Sequence, residues 1–340
     1  MFRPSPSPGS DLLTSRRALL GTLGAAATSI ALPHSVAANL KQLKKPVQIG
    51  MIADLHHDVM HDGPQRMETF LNQMTTVKPD ALIQLGDFAY PSSANQPLID
   101  TFNQAHPQTL HVIGNHDTDD GYTFQQVVDS WEMKHRYYSH KVSGLQLIVL
   151  DGNERPPNHQ GGYPSHIGPE QIEWLRGELK RLEGPIIVLC HQPLAGPWAV
   201  DNAETIQSVL GAADNKVVLT VNGHSHIDHV VRVGNVVNLH INSASYQWVG
   251  GSYKHKSYPA AIHTTYPYIE YTCPYRDALF TTLSFDPESG KIHIEGCESE
   301  WVGPSPAQLG HDGHPDLVDG EQICPRIRTR SLLPPGHQTG

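Results

Sequence analysis

Five short apolar runs in this chain each stop at a residue able to bind a metal. VQIGMIAD ends at Asp54, with His56 two residues on; DALIQLGD ends at Asp87; TLHVIGNHD ends at Asn115 and His116. PIIVLCHQP ends at His191, and KVVLTVNGHSH ends at His224 and His226. Runs of this length, rich in Val, Ile and Leu, read as buried strands. Segments of helical spacing lie between them. Residues 65–77 carry Met67, Phe70, Leu71 and Met74 on one face, GPEQIEWLRGELKRL starts with Pro169 in a first-turn position, and a further helix is expected at about 204–210. Strand and helix in this rhythm predict a parallel α/β architecture. In such sheets ligands bind beyond the carboxyl ends of the strands. Five strands therefore deliver Asp54, His56, Asp87, Asn115, His116, His191, His224 and His226 to one rim.

The spacings fit that placement. Asp54 and His56, like His224 and His226, are two apart, which in an extended chain puts both on one side. Gly86, Gly114 and Gly223 precede ligands, where a tight turn or a close backbone approach is needed. Mixed Asp, Asn and His donors suit Mn, Fe or Zn better than Ca or Mg. The donors suffice for two metals with a carboxylate between them, the usual clamp for displacement at phosphorus. If these were only turn residues and helix caps, nothing would explain why so many strands end in His.

The ordered set D-x-H, G-D, G-N-H-D, a lone His after an apolar strand and G-H-x-H resembles the calcineurin-like metallophosphoesterases over residues 47–285. The resemblance implies a four-layer α/β/β/α sandwich of two packed mixed sheets flanked by helices. It implies that Asp54, His56 and His226 bind one metal, that Asn115, His191 and His224 bind the other, and that Asp87 bridges both. It implies hydrolysis of a phosphate ester by a hydroxide held between the metals. His116 would contact the phosphate and protonate the leaving oxygen, with Asp117 orienting His116. GDFAYP lacks the Arg of the protein Ser/Thr phosphatase motif. The motifs are nearest those of bacterial cyclic-nucleotide phosphodiesterases and exported relatives, which leaves monoester and diester substrates both open. Tyr90 stands where purple acid phosphatases place an iron-binding tyrosine, yet His56 is also present, so Tyr90 is expected to pack rather than bind. A non-catalytic module that keeps the fold is the rival reading, disfavoured by the complete ligand set.

The remaining features set the context. Residues 1–38 read as a leader: SRRALL carries the Arg16–Arg17 pair of a twin-arginine signal, a short apolar run follows, and small residues surround Ala37 and Ala38. An ordinary secretory signal with two arginines is the alternative. The leader implies export to the periplasm or beyond, with no membrane anchor once it is cleaved. Residues 39–296 form the expected catalytic domain, and 297–340, rich in Pro, Gly and polar residues, read as an irregular tail. A net charge of −10 with no basic run argues against a nucleic-acid polymer as partner and leaves a small phosphate ester. Oligomeric state is not legible. Cys190, Cys273, Cys297 and Cys324 lack zinc-ribbon spacing; one disulfide among the last three is allowed. His57, Asp58, Asp228 and His229 are expected as rim or sheet-surface residues. The loop at 152–166 and the aromatic insertion at 246–275 form either a substrate cap or a cover over the sheet edge. Hairpins turning at Gly234–Asn235 and around 287–290 point to a second, more antiparallel sheet.

Overall fold

The computed structural model describes residues 28–311 and 313–334. The strands are β1 (Thr28–Ala31), β2 (Val47–Ile52), β3 (Ala81–Gln84), β4 (Thr109–His111), β5 (Tyr138–Val142), β6 (Leu145–Val149), β7 (Ile186–Leu189), β8 (Val217–Asn222), β9 (His229–Val233) and β10 (Val236–His240). They continue with β11 (Tyr246–Trp248), β12 (Thr272–Pro274), β13 (Thr281–Asp286), β14 (Lys291–Ile294), β15 (Cys297–Glu298), β16 (Arg326–Ile327) and β17 (Arg330–Leu333). The helices are α1 (His34–Leu40), α2 (Gly63–Val77), α3 (Gln96–Gln104), α4 (Phe124–Ser130), α5 (Pro169–Arg181), α6 (Ala203–Gly211) and α7 (Ala260–Thr265).

Two large mixed sheets pack face to face. One has the order β1-β17-β14-β13-β2-β3-β4, the other β5-β6-β7-β8-β10-β9. Strands β2, β3 and β4 are parallel, as are β6, β7, β8 and β10. The wholly buried side chains of β3, β7 and β8 explain the unbroken apolar runs: one face meets the opposite sheet and the other meets helices. Ile49, Met51, Ile83, Leu189, Val221 and Phe285 belong to the core between the sheets. Phe70, Ile99, Phe102 and Val127 pack α2, α3 and α4 on the first sheet. Leu175, Leu179, Ile206 and Leu210 pack α5 and α6 on the second. The result is the expected α/β/β/α sandwich, with the metal-type residues at the carboxyl ends of β2, β3, β4, β7 and β8.

The hairpins form as expected but not in one sheet. The β9–β10 hairpin joins the second sheet through parallel pairing of β10 with β8, and β13–β14 joins the first through antiparallel pairing of β13 with β2. The second sheet thus has a parallel centre with antiparallel edge strands, whereas in the first the parallel strands β2, β3 and β4 lie at one edge and antiparallel pairing extends the sheet from β2.

Both ends of the expected domain need correction. The described residues 297–334 are not wholly irregular. Strand β17 pairs with β14, and β15 pairs with β16. Asp228, expected on a sheet surface, is fully buried and holds this segment: Arg330 Nη2 lies 2.8 Å and Arg328 Nε 2.6 Å from Asp228 Oδ2. Two charges and a short length hide a strand from a search for apolar runs. All four cysteines are free, so the allowed disulfide is absent.

At the other end, the Arg16–Arg17 pair lies outside the described residues. The boundary after Ala38, however, falls inside α1. Strand β1 pairs in parallel with β17, and Leu32, Val36 and Leu40 are buried in the core between the sheets. Asn39 Nδ2 donates to the carbonyls of Asn215 (2.8 Å) and Lys216 (3.2 Å). Cutting at Ala38 would strip β1 and most of α1. Burial of Leu32 and Val36 alone contributes about 3–6 kcal/mol. A chain beginning at Asn39 should therefore melt well below one beginning at Thr28 in thermal unfolding. Equal midpoints would show that β1 and α1 add nothing to the fold.

Candidate metal centre

The ligands leave their strands by left-handed turns. Asp54, His56, Asp87, His224 and His226 have φ of 51°, 48°, 49°, 65° and 50°. The extended alternation expected for Asp54–His56 and His224–His226 is thus replaced by a tighter path. Asp and His tolerate this region better than β-branched residues, though such backbones cost of order 1–3 kcal/mol each. Five of the ten positive-φ non-glycine residues described are these ligands, so the strain is concentrated at the site. The preceding glycines make room. Gly86 has φ of 95°, and a Cβ there would strike the His191 ring. At Gly114 it would strike Asp87, and at Gly223 the Asp54 carboxylate.

Two donor groups result: Asp54, His56 and His226, and Asp87, His191 and His224. His226 Nε2 lies 3.2 Å from Asp54 Oδ1 and 3.2 Å from His56 Nε2. His191 Nε2 lies 3.2 Å from Asp87 Oδ2, Asn115 Oδ1 and His224 Nδ1 alike. Asp87 Oδ2 is also 3.6 Å from His56 Nε2, so this one oxygen faces both groups. All seven expected metal ligands therefore converge, and Asp87 stands between the two sets.

The donor chemistry fits two cations. His191 Nδ1 donates to the carbonyl of Leu85 at 2.8 Å, and His226 Nδ1 to that of Tyr246 at 2.7 Å. A carbonyl only accepts, so in the neutral rings the Nδ1 proton is fixed and Nε2 carries the lone pair. Each Nε2 then points at carboxylate, amide oxygen or ring nitrogen. Acceptors facing acceptors at this distance require positive charge between them. Consistent with that demand, Asp87 and Asp54 overcome the effect of burial and raise His191 to about 10, whereas burial and neighbouring His191 lower His224 to about 3. The set of Asp, Asn and His without Cys matches Mn, Fe or Zn.

The proton-handling residues are arranged differently from expectation. His116 donates its amide to Asp87 Oδ1 at 2.8 Å, which seats it beside the bridge. Its Nδ1 pairs with Asp119 Oδ2 at 2.7 Å, not with Asp117. Asp119 in turn accepts from the Tyr163 hydroxyl at 2.7 Å. Asp117 faces the interior, where it accepts the amides of Asp87 (2.9 Å), Phe88 (2.7 Å) and Gly114 (2.7 Å). It is a clamp on the two ligand loops. Adjacent residues in this turn point apart, while i and i+3 meet, so the H-D-T-D spacing of His116 and Asp119 was the available signal. Burial, then Asp87, pushes the Asp117 carboxyl up to about 8. Three N–H donors nevertheless suit an ionised acceptor, and cations beside Asp87 would relieve that repulsion.

Other residues missed or underrated in the sequence frame the site. The Tyr246 ring stacks on His56 at 4.8 Å, besides its carbonyl fixing His226. Asp58 accepts the Tyr90 amide at 2.8 Å and Asn95 Nδ2 at 2.7 Å, bracing the first ligand loop. The Tyr90 hydroxyl lies among carboxylates: burial, then Asp119, Asp58 and Asp120, push its pKa up. His229 belongs to neither donor group and sits on β9 beside His240, 5.7 Å between rings. The loop at 152–166 and the insertion at 246–275 both reach the site, through Tyr163 and through Tyr246, Trp248 and Tyr268.

Asp119→Asn should keep both metals and lower turnover roughly 10–100-fold. Asp117→Asn should destabilise the fold by about 1–3 kcal/mol and release metal, because a buried amide loses its acceptor. Metal content with thermal unfolding separates the two; the reverse pattern would restore Asp117 as the His116 partner.

The profile of the calcineurin-like phosphoesterases matches residues 47–228. No curated protein sequence matches the chain. Among solved structures, GAP50 of Plasmodium, described as the anchor in the inner membrane complex, is 15% identical with a TM-score of 0.54, covering 87% of this chain and 91% of that one. A dimetal phosphatase of Danio rerio is 13% identical with a TM-score of 0.52, covering 75% of this chain and 98% of that one. These two likenesses show the shared fold. With the family profile spanning more than half the chain and ending on the β8 ligands, the protein belongs to the calcineurin-like phosphoesterases, metal-dependent hydrolases of phosphoric esters.

Proposed function

We propose that the protein is an exported phosphodiesterase for small organic phosphate diesters, working with two Mn, Fe or Zn ions. The observation that carries this reading is a pair of clefts that adjoin at Asp119 and Tyr163 and each touch the donor set. One, of about 610 Å³, is lined by His56, Asp87 and His116; the other, of about 580 Å³, by Asn115 and Arg155. Asp119 and Tyr163 line both. A phosphoryl group at the donors would thus have room for an ester arm on each side. A monoester would leave one cleft idle.

Cations held by Asp54, His56 and His226 and by Asp87, Asn115, His191 and His224 would supply charge neutralisation and an acidified water. The chain's own residues do the rest. Asp87 holds the two donor groups in register. His116, anchored through Nδ1 by Asp119, has Nε2 left to give a proton to the departing ester oxygen. Tyr163 fixes Asp119 from above. GAP50 shares the fold, so the fold alone does not imply turnover; the complete ligand set with the His116–Asp119 pair supports an enzyme over an anchor.

Export rests on the SRRALL pattern. No helix among the described residues is long and apolar enough to cross a membrane. The packing of β1 and α1 favours processing upstream of Thr28, near the Ala25–Ala27 run, over processing at Ala38. N-terminal sequencing of exported protein decides between them.

Stripped protein beginning at Thr28 and reloaded with Mn should hydrolyse bis(p-nitrophenyl) phosphate in preference to p-nitrophenyl phosphate, and chelation should abolish both. Monoester preference would overturn the diester reading; inactivity with two metals bound would favour the non-catalytic module. His116→Ala should lower kcat on the diester about 10²–10⁴-fold with metal content unchanged. Retained turnover would remove His116 from the reaction.

A further inference from the structure

The larger cleft has a composition that a phosphodiester with uncharged arms does not explain. Its walls carry the rings of Tyr90, Tyr163, Tyr246, Trp248 and Tyr268. Of the six large hydrophobic residues exposed among those described, three are here: Tyr163, Trp248 and Tyr268, at 50%, 46% and 61%. Leaving such surface in water is unfavourable unless a ligand covers it. The rings are also held open. Trp248 stacks on Tyr271 at 5.6 Å with 7° between planes, and Tyr246 is pinned on His56.

The charge is one-sided. Asp58, Asp119 and Asp120 line this cleft, and no Lys or Arg does. Lys254 of the insertion pairs with Glu270 at 2.7 Å. The Asp119 carboxylate pairs with His116, whereas Asp58 hydrogen-bonds neutral donors and Asp120 is exposed, so Asp58 and Asp120 supply the negative charge on this wall. The neighbouring cleft differs, since Arg136 and Arg155 line it. An anionic arm is repelled from the aromatic cleft. A neutral arm gains stacking but leaves the carboxylates unused. A quaternary ammonium uses both, because ring faces attract cations and weakly hydrated methylated ammonium groups cost little to desolvate.

We propose that the aromatic, carboxylate-lined cleft beside His56 and His116 selects phosphodiesters whose ester arm ends in a methylated ammonium group. This rests on the diester reading and adds the identity of one arm. Trp248 and Tyr268 supply the ring faces, and Asp58 and Asp120 supply the countercharge. The other arm, lying toward Arg155, is the one that can be anionic.

The test uses p-nitrophenyl diesters with a common leaving group and Mn-loaded protein. The p-nitrophenyl esters of phosphorylcholine, phenyl phosphate and thymidine 5′-phosphate are compared by kcat/KM. The choline ester should exceed the phenyl ester by about tenfold or more, chiefly through KM, and the excess should shrink with added salt. Trp248→Ala and Asp120→Asn should each move the choline-to-phenyl ratio toward one. Both positions are exposed, so these variants fold. If all diesters are cleaved but the choline ester is no better than the phenyl ester, the inference falls and the diester reading stands. Preference for the thymidine ester means the rings stack a base, which also overturns it. If only monoesters are cleaved, both readings fall together.

Discussion

The carboxylate of Asp87 is the point on which the site is built. One of its oxygens faces His191 at 3.2 Å and His56 at 3.6 Å, the other accepts the His116 amide, and its own amide is held by Asp117. The first sheet supplies Asp54, His56, Asp87, Asn115 and His116; the second supplies His191, His224 and His226. Across the sheets, His191 Nε2 faces Asp87 Oδ2 and His226 Nε2 faces Asp54 Oδ1, each at 3.2 Å. Without positive charge the two sheets would meet there in mutual repulsion. With it, the same contacts become a clamp. The left-handed turns at five ligands and the glycines beneath them are the local cost of bringing so many donors within reach, and the apolar core between the sheets offsets it.

The ligands were legible because they interrupt a strong pattern. A buried strand reads as an apolar run, and each run here stops at Asp, Asn or His on the side where parallel sheets bind ligands. The alternation pointed to a parallel α/β architecture, and the four layers were what the family resemblance implied. What the pattern could not carry was orientation within a turn. Asp117 and Asp119 are two residues apart, but only the 3-10 turn after His116 shows that Asp119 meets the imidazole and Asp117 faces the interior. Residue type was uninformative, since both are aspartates.

The terminal strands were hidden for two further reasons. Strand β1 lies within an apolar stretch that also has the look of a leader, and one hydrophobic pattern obscures the other. Strand β17 carries Arg330 at a buried position, so its charge argues against a strand until Asp228 is seen opposite. Asp228 sits just after the His226 ligand on the chain. The same loop therefore delivers metal ligands on one side and locks the C-terminal strand on the other. Likewise the segments at 152–166 and 246–275 have little periodicity, and only their folded positions show Tyr163, Tyr246, Trp248 and Tyr268 around the donors.

The central claim is that one carboxylate joins two metal sites into a single unit. Inductively coupled plasma mass spectrometry on Mn-reloaded wild type and Asp87→Asn, after gel filtration, addresses it directly. Two ions per chain in the wild type, with both lost together in Asp87→Asn, is the predicted result. A variant that keeps one full equivalent would contradict the bridge and leave two independent sites.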